Sequence, residues 1–359
     1  MLGQGPAALA VALLDPGNRI LASHPGEGGM GDGADEAVVR GEIGVALTPI
    51  PMEGAQCHGW FGSEHNRTPT LGSVGGMTEF RRILLDGAPT RAIREGDRLV
   101  SEDGRQVAAD QATHLPPVQP SKVIAVHLNY RSRVEEFQTR LPGAPTYFQK
   151  PTTSLNAHGG EVVRPLGCRY LNFEGEIAIV IGERCRNVAP SEAPSHIAGY
   201  TIANDFGLHD FRDTDAGSML RVKGSDTLCP IGPGVTDDWD YRGKTIRTRV
   251  NGETRQEGST DELVWDMAYL VADLARTITL LPGDIILSGT PAGSRPVEPG
   301  DVVTVEVEGL GELTNTVVDG PAVREDVGAR PSASEEVVST ALGGDWEHRG
   351  IRPPRGPDG

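Results

Sequence analysis

Apolar and polar residues alternate along this chain in short runs, a pattern that predicts many strands and few helices. The run 177–181 is continuous, apolar and mostly β-branched, and it predicts a buried strand. The runs 122–128 and 197–203 predict two more strands of the same kind. Residues 260–277 carry apolar side chains at helical spacing behind a capping-box pattern that begins at Ser259, and they predict a helix. We therefore expect a mainly β fold.

Turn signals between these runs support a β-rich fold. Asn251-Gly252 stands between the strand-like segments 246–250 and 253–256. Asn-Gly supplies the positive φ angles that a tight turn needs. We therefore expect a β-hairpin centred on these two residues.

Composition divides the chain into four parts. Residues 1–76 are rich in glycine and show no sustained periodicity after about Leu21, so they predict a low-order extension, with Met77 as a candidate natural start. Residues 77–120 predict a small β-rich N-terminal domain that ends in a proline-rich linker. Residues 121–320 predict the main domain, and residues 321–359 predict a disordered tail.

Charge and cysteine content narrow the possible partners and the compartment. Lys and Arg total 33 against 50 Asp and Glu, a net charge of −17, which argues against a nucleic-acid partner. The four cysteines show no CxxC spacing, so we expect a reduced, cytoplasmic setting. No uninterrupted apolar run reaches the length of a membrane span, and residues 1–14 lack the basic start of a signal peptide. We therefore expect no membrane partner.

Two carboxylates stand at the start of the run 177–181. Glu174 and Glu176 are two residues apart, so in a strand they point to the same side and repel each other unless a positive charge lies between them. Asp205 ends the run 197–203 and adds a third carboxylate. An oxygen-only site suits Mg²⁺, Mn²⁺ or Ca²⁺ better than zinc, and with three protein ligands Mg²⁺ keeps about three positions for water or substrate. The alternative is a solvated strand end with unrelated acids.

Six motifs in a fixed order carry a family resemblance. They are Asn129-Tyr130, Phe148-x-Lys150-Pro151, Glu174-x-Glu176, Gly199-Tyr200-Thr201-x-Ala203-Asn204-Asp205, Lys223-Gly224-x-Asp226 and Ser288-Gly289-Thr290-Pro291-Ala292-Gly293. In this order, from about Lys122 to Val318, they resemble the fumarylacetoacetate hydrolase superfamily. The branch most similar is that of 2-hydroxyhepta-2,4-diene-1,7-dioate isomerases and 5-carboxymethyl-2-oxo-hex-3-ene-1,7-dioate decarboxylases. The resemblance implies the mixed β-sandwich and β-roll fold of the family's C-terminal domain and, by analogy, a homodimer.

The resemblance also implies roles for single residues. It implies that Glu174, Glu176 and Asp205 ligate Mg²⁺ or Mn²⁺, with Ca²⁺ as a third candidate. It implies that Lys223 lies beside a substrate oxyanion and that Thr290 contacts a substrate carboxylate. The alternatives are a solvent-facing lysine and an ordinary turn threonine. Two further residues of the matching motifs are substrate-binding candidates, namely Tyr130 and Lys150.

Two positions depart from the family pattern. Hydrolases of the family place a His and, three residues later, a Glu after Asn-Tyr as a water-activating pair, and the matching residues here are Arg133 and Glu136. Arginine is no base at neutral pH, so Arg133 either pairs with a substrate carboxylate or is a solvated lid residue, while Glu136 stays a catalytic candidate. His209 stands where many relatives have Arg and is either a proton shuttle or structural. Arg212 is a candidate for the lost cation and for substrate binding.

These features predict a divalent-metal-dependent decarboxylase or isomerase. The substrate class is a small 2-oxo acid or diacid, as in aromatic-compound catabolism, and the reaction passes through an enolate. Enolate formation survives the loss of the lid base, whereas hydrolysis needs an activated water. The first alternative is an acylpyruvate- or fumarylpyruvate-type C–C hydrolase with another base, such as His209. The second is a catalytically silent metal-binding family member that acts as a subunit.

Overall fold

The structure, a computed structural model, describes residues 77–215 and 217–343. The predicted extension 1–76 and the last part of the predicted tail, 344–359, lie outside these described residues. Within them, no helix is both long enough and apolar enough to cross a membrane.

The described residues are mainly β with few helices, which confirms the predicted fold class. The strands are β1 (Glu79–Leu85), β2 (Ala88–Glu95), β3 (Arg98–Ser101), β4 (Gln106–Ala108), β5 (Thr113–Leu115), β6 (Val123–Val126), β7 (Tyr147–Lys150), β8 (Leu155–Asn156), β9 (Glu161–Pro165), β10 (Leu171–Asn172), β11 (Gly175–Ile181), β12 (Ile197–Asn204), β13 (Gly207–Leu208), β14 (Cys229–Thr236), β15 (Thr245–Val250), β16 (Glu253–Ser259), β17 (Ile285–Leu287), β18 (Val302–Val307) and β19 (Gly311–Gly320). The α-helices are α1 (Arg131–Glu136), α2 (Arg212–Asp215), α3 (Leu220–Gly224), α4 (Met267–Ala275) and α5 (Glu335–Leu342).

A large sheet places β11 near its centre. Its strand order is β4-β3-β2-β1-β14-β12-β11-β17-β6-β7, with β5 on β1 and β8 on β14. Both faces of β11 are buried, because Ala178 and Val180 enter one core cluster while Ile177 and Ile179 enter the other. This burial explains why the strand reads as a continuous apolar run rather than as an alternating one.

A second sheet packs beside β11. Its order is β16-β15-β18-β19-β9, and β15 and β16 form the predicted hairpin, with Asn251 and Gly252 at φ 53° and 83°. A Cβ atom on Gly175 would lie 2.2 Å from Thr248 Oγ1 of β15 and 3.0 Å from Val305 Cγ1 of β18. Glycine therefore lets the second sheet approach the strand at the point between the two glutamates.

The N-terminal strands continue the large sheet. β1 pairs antiparallel with β14, with Glu79 opposite Thr236. All described residues fall within one compact unit. Residues 77–120, predicted as a small domain, are thus β-rich and joined to the main sheet by backbone hydrogen bonds.

The helix predicted for residues 260–277 is shorter in the structure. The capping box at Ser259 is present, but it caps a single 3₁₀ turn, Thr260–Glu262, and α4 begins only at Met267. The Trp265 backbone N–H donates to Asn129 Oδ1 at 2.8 Å. This tertiary hydrogen bond takes a backbone group that a continuous helix would have used.

Part of the predicted disordered tail is ordered, and the prediction is wrong there. Ser334 caps α5 by accepting a hydrogen bond from the Val337 N–H. Val337, Val338 and Ala341 are fully buried and form a small cluster with Tyr170. The spacing of the three apolar residues places them on one helix face, which is too short a pattern to stand out between polar segments.

We predict that Gly175→Ala destabilises the fold by about 1–3 kcal/mol, because the added methyl group overpacks the contact between the sheets. Urea unfolding followed by circular dichroism measures the change. Gly143→Ala is the control, since nothing lies within 4 Å of its Cβ position and its φ is not positive. Equal stabilities of the two variants would contradict this account of the packing.

Candidate functional site

The ends of two neighbouring strands bring the three predicted carboxylates together. Glu174 immediately precedes β11, Glu176 lies within it, and Asp205 follows β12. β11 and β12 are antiparallel with Glu176 opposite Ala203, and the Asp205 N–H donates to the Glu174 carbonyl oxygen at 2.8 Å. One oxygen of each carboxylate therefore lies within 4.8 Å of one oxygen of both others. We call these three residues the carboxylate cluster.

Two buried lysines neutralise part of the carboxylate cluster. Lys223, on α3, has its Nζ 2.5 Å from Glu174 Oε2 and 2.9 Å from Asp205 Oδ2, and it also donates to the Asp205 carbonyl oxygen at 2.7 Å. Lys150, at the end of β7, has its Nζ 2.5 Å from Asp205 Oδ1 and is 0% exposed. The structure therefore places Lys150 behind Asp205 as its ion-pair partner.

The remaining carboxylate is held by the backbone. The Gly289 N–H donates to Glu176 Oε2 at 2.7 Å, because β17 pairs with β11 and leads directly into this turn. No basic side chain pairs with Glu176 among the residues that the structure describes. Tyr130 is fully buried, and its hydroxyl has no hydrogen-bond partner among the described residues.

The pKa shifts follow from these contacts. Burial alone would raise the pKa of Glu174, but the Lys223 and Arg133 cations outweigh it and lower that pKa. Burial raises the pKa of Glu176 well above its usual value, and the Asp205 and Glu174 carboxylates add to the effect. Burial would lower the pKa of Lys223, but Asp205 and Glu174 raise it, so the ammonium stays charged at neutral pH.

The carboxylate cluster fits a hard divalent cation. Its donors are all carboxylate oxygens, which is the donor set that Mg²⁺, Mn²⁺ and Ca²⁺ prefer. Glu176 is still repelled by the Glu174 and Asp205 carboxylates, and a bound cation would offset that repulsion. The three residues predicted as metal ligands are therefore brought together with chemistry suited to that role.

Helix α1 carries Arg133 and Glu136, which stand at the positions of the water-activating His–Glu pair described above, here called the dyad. Arg133 is 3% exposed, with Nη1 2.6 Å from Glu136 Oε2 and Nη2 3.3 Å from Glu174 Oε1. Glu136 is also bound by Arg295, whose Nη1 lies 2.7 Å from Glu136 Oε1. Arg133 thus links the α1 helix to the carboxylate cluster, and it is no solvated lid residue.

A glutamine that the sequence analysis missed connects the turn of Thr290 to β11. Gln256 donates to Thr290 Oγ1 at 2.9 Å and to the Pro291 carbonyl oxygen at 2.7 Å, and it accepts from the Gly175 N–H at 3.1 Å. The Thr290 hydroxyl therefore keeps its own proton for donation. Gln256 is the fourth residue of a strand whose preceding residues are exposed, so the polar pattern there gave no sign of burial.

The two remaining candidates lie in different surroundings. His209 is 2% exposed, and neither ring nitrogen has a hydrogen-bond partner in the described part of the chain. A Cβ atom on Gly207 would lie 3.2 Å from Lys223 Nζ and 3.3 Å from His209 Nε2, so the histidine is a neighbour of the lysine. Burial, together with the Lys223 charge, lowers the pKa of His209 well below its usual value. Arg212 instead points to Glu336 of α5, with Nε 3.3 Å from Oε1.

Known proteins match the part of the chain that holds these residues. The Fumarylacetoacetate (FAA) hydrolase C-terminal family matches residues 122–318. The chain is 37% identical over 249 residues to the 4-hydroxyphenylacetate degradation bifunctional isomerase/decarboxylase of Escherichia coli, covering 68% of this chain and 58% of that relative. It is 35% identical over 268 residues to oxaloacetate tautomerase FAHD2A, mitochondrial, of Homo sapiens, covering 69% of this chain and 85% of that relative.

A solved structure supports the same fold. The 5-carboxymethyl-2-hydroxymuconate delta-isomerase from Mycobacterium smegmatis matches with a TM-score of 0.63 and 38% identity, over 67% of this chain and 99% of that one. The chain thus spans nearly all of this structure but only about three fifths of the E. coli relative. The likeness confirms the predicted fold.

We predict that Mg²⁺ or Mn²⁺ raises the melting temperature of the protein, because a ligand that binds only the folded state stabilises it by about 2.7 kcal/mol at 100 times its Kd. Glu176→Gln replaces one of the three carboxylate ligands by a neutral amide, and it should abolish the rise in melting temperature. Glu135→Gln, at an exposed glutamate on α1, is the control and should keep it. Differential scanning calorimetry with metal and with EDTA measures both. The same rise in Glu176→Gln as in the parent protein would rule out a metal at this cluster.

Proposed function

Because this chain belongs to the fumarylacetoacetate hydrolase family, we propose that its carboxylate cluster and Lys223 act together on a small 2-oxo acid or diacid. The proposed reaction is decarboxylation or isomerisation through an enolate, in keeping with the names of the bifunctional isomerase/decarboxylase relatives. Glu174, Glu176 and Asp205 would hold the divalent cation, with Mg²⁺ or Mn²⁺ as the proposed metal and Ca²⁺ as a third candidate. The proposed setting is the catabolism of aromatic compounds.

The position of Lys223 is the single observation that carries this proposal. Lys223 is 2% exposed, and its ammonium lies within 3 Å of oxygens from both Glu174 and Asp205. A fixed charge in a site that excludes water stabilises negative charge that develops during a reaction, at no cost of reorganisation. Lys223 therefore supports a reaction in which an oxyanion forms beside the carboxylate cluster.

The proposed chemistry follows the electron pair of the broken bond. When a carboxylate leaves as CO₂ from the carbon next to a keto group, the C–C bond breaks and its electrons become an enolate. In isomerisation, that carbon loses a proton to solvent instead, the electrons of the C–H bond become an enolate that keeps the carboxylate, and a proton then returns at another carbon. A divalent cation in the site would supply Lewis-acid polarisation of the keto oxygen. The positive charge of Lys223, which is fixed beside the cluster, would stabilise that oxygen electrostatically as its negative charge grows.

Other residues would orient the substrate. Arg133 has N–H groups beyond those that face Glu136 and Glu174, and a guanidinium binds a carboxylate through two parallel hydrogen bonds. The Thr290 hydroxyl, which accepts from Gln256, has its proton available for a second carboxylate oxygen. Lys150 fixes Asp205 from behind, so we propose that it positions this ligand rather than contacting substrate.

The geometry of α1 disfavours C–C hydrolysis. Hydrolysis needs a base that activates water, and Arg133 stays protonated at neutral pH. Burial alone would raise the pKa of Glu136, but Arg133 and Arg295 outweigh it and lower that pKa, so Glu136 is a weak base. Neither residue at the dyad positions is therefore suited to take a proton from water.

Hydrolysis with His209 as the base is the second candidate, and one observation favours it. The imidazole neighbours Lys223, and both of its nitrogens lack partners among the described residues. A buried imidazole without partners has hydrogen-bonding capacity that a substrate or water can use.

We predict metal-dependent CO₂ release from at least one member of a panel of 2-oxo diacids and acylpyruvates, with activity in Mg²⁺ and none in EDTA. Product analysis by NMR distinguishes the alternatives, because isomerisation changes the substrate without loss of carbon. Two acid products without CO₂ would establish the hydrolase and make His209 the residue to test. Metal binding without any product would favour the catalytically silent subunit.

We predict that Lys223→Ala lowers kcat by about 10²–10³-fold, the usual cost of removing one group that stabilises a developing oxyanion. Lys244→Ala is the control, because this lysine pairs with Glu308 at the surface and touches none of the site residues named above. Circular dichroism shows whether each variant is folded. An unchanged kcat in a folded Lys223→Ala variant would remove the lysine from the mechanism.

A further inference from the structure

Glu136 is the meeting point of two arginines. Arg133 Nη1 lies 2.6 Å from Glu136 Oε2, and Arg295 Nη1 lies 2.7 Å from Glu136 Oε1. The Gly293 N–H also donates to Glu136 Oε2 at 3.2 Å. The glutamate side chain is 12% exposed and that of Arg133 is 4% exposed, so these are ion pairs with little access to water. Such pairs hold their geometry better than surface pairs.

The end of α5 closes over the Glu136–Arg295 pair. A Cβ atom on Gly343, the residue after α5, would lie 2.9 Å from Glu136 Oε1 and 3.0 Å from Arg295 Nη1. Gly343 also has φ at +79°, a conformation that favours glycine. The backbone of this residue therefore touches the pair directly, and only glycine fits there without displacing a side chain.

Helix α5 is itself fixed to the walls of the site. Asn172, which lies two residues before Glu174 in the chain, donates from its Nδ2 to the Ala341 carbonyl oxygen at 2.8 Å. Ser332 and Ser334 donate to the two carboxylate oxygens of Asp213 at 2.7 and 2.8 Å. The buried face of α5 packs on Tyr170. This segment lies outside the family match, which covers residues 122–318.

A cavity of about 650 Å³ borders these contacts. Glu136, Arg295 and Gly343 all line it, together with Arg255. Arg133, which contacts Glu174, does not line this cavity and is 3% exposed. The Glu136–Arg295 pair thus faces this cavity, whereas the arginine that contacts the carboxylate cluster does not.

We propose that Arg295 is a positioning residue and that, with Gly343 and α5, it clasps α1 so that Arg133 is held against the carboxylate cluster. This inference rests on the proposed function for its catalytic consequence, because Arg133 is the group expected to bind a substrate carboxylate. Arg295 acts through Glu136 and Arg133 and touches neither substrate nor metal ligands. Arg133 and Glu136 stand at the dyad positions, and in this arrangement they hold an anion-binding guanidinium in place instead of forming an acid–base pair.

Hydrogen–deuterium exchange of the metal-free, full-length protein tests the clasp without any need for turnover. Arg295→Ala should speed exchange of the amides in residues 131–137 by about tenfold, since α1 then opens locally. Arg295→Lys should restore slow exchange, because an ammonium still pairs with Glu136. Arg255→Ala is the matched control: it lines the same cavity, pairs with Glu253 and is 51% exposed in its side chain. Exchange of Arg295→Ala equal to that of the parent, or equally faster throughout the chain, would overturn the proposal.

A second variant tests the contribution of α5. Gly343→Ala places a methyl group against the Glu136–Arg295 pair and should speed exchange in residues 131–137 without changing exchange in β11. Unchanged exchange at 131–137 would remove α5 from the clasp. In turnover assays, Arg295→Ala should raise KM about tenfold with a smaller change in kcat, because misplacing Arg133 weakens substrate binding. A fall in kcat alone would overturn the positioning role, while absence of turnover in the parent protein would count against the proposed function only.

Discussion

Repulsion among three buried carboxylates is the constraint on which this site depends. Glu174, Glu176 and Asp205 approach one another because antiparallel pairing of two strands fixes their positions. Ionised groups at this depth are costly unless compensated. Lys223 and Lys150 compensate two of them, while Glu176 relies on one backbone N–H. Among the described residues no cation pairs with Glu176, and a divalent cation in the cluster would supply that partner.

The same constraint explains the surrounding architecture. Gly175 lets the second sheet press against the strand between the two glutamates, which excludes water from one side. Arg133 brings a third cation to the cluster by pairing with Glu174 from α1, and Glu136 and Arg295 hold that cation in place. Each of these ion pairs offsets part of the negative charge of the cluster and also fixes the position of a side chain. Buried ion pairs therefore surround Lys223, beside which the proposed oxyanion would form.

Much of the site could be predicted from local sequence. The apolar run 177–181 predicted the strand, and period-two spacing placed Glu174 and Glu176 on one face of it. The partners of these residues could not be predicted, because they come from distant parts of the chain. Lys150 is 55 residues from Asp205, and Arg295 is 159 residues from Glu136.

Short elements were the least predictable part of the fold. Helix α5 has eight residues, and its apolar face consists of three small or medium side chains, so the polar segment around it predicted disorder. The predicted helix at 260–277 was interrupted because Asn129 takes a backbone N–H of Trp265. In both cases tertiary contacts decided the outcome over local propensity.

Diffraction from crystals grown with Mn²⁺, at a wavelength where manganese scatters anomalously, tests the central claim most directly. The account predicts one strong anomalous peak bounded by oxygens of Glu174, Glu176 and Asp205 at about 2.0–2.6 Å, the range for hard divalent cations, with Lys223 still beside them. A peak elsewhere, or no peak at the cluster in a folded protein saturated with Mn²⁺, would contradict it.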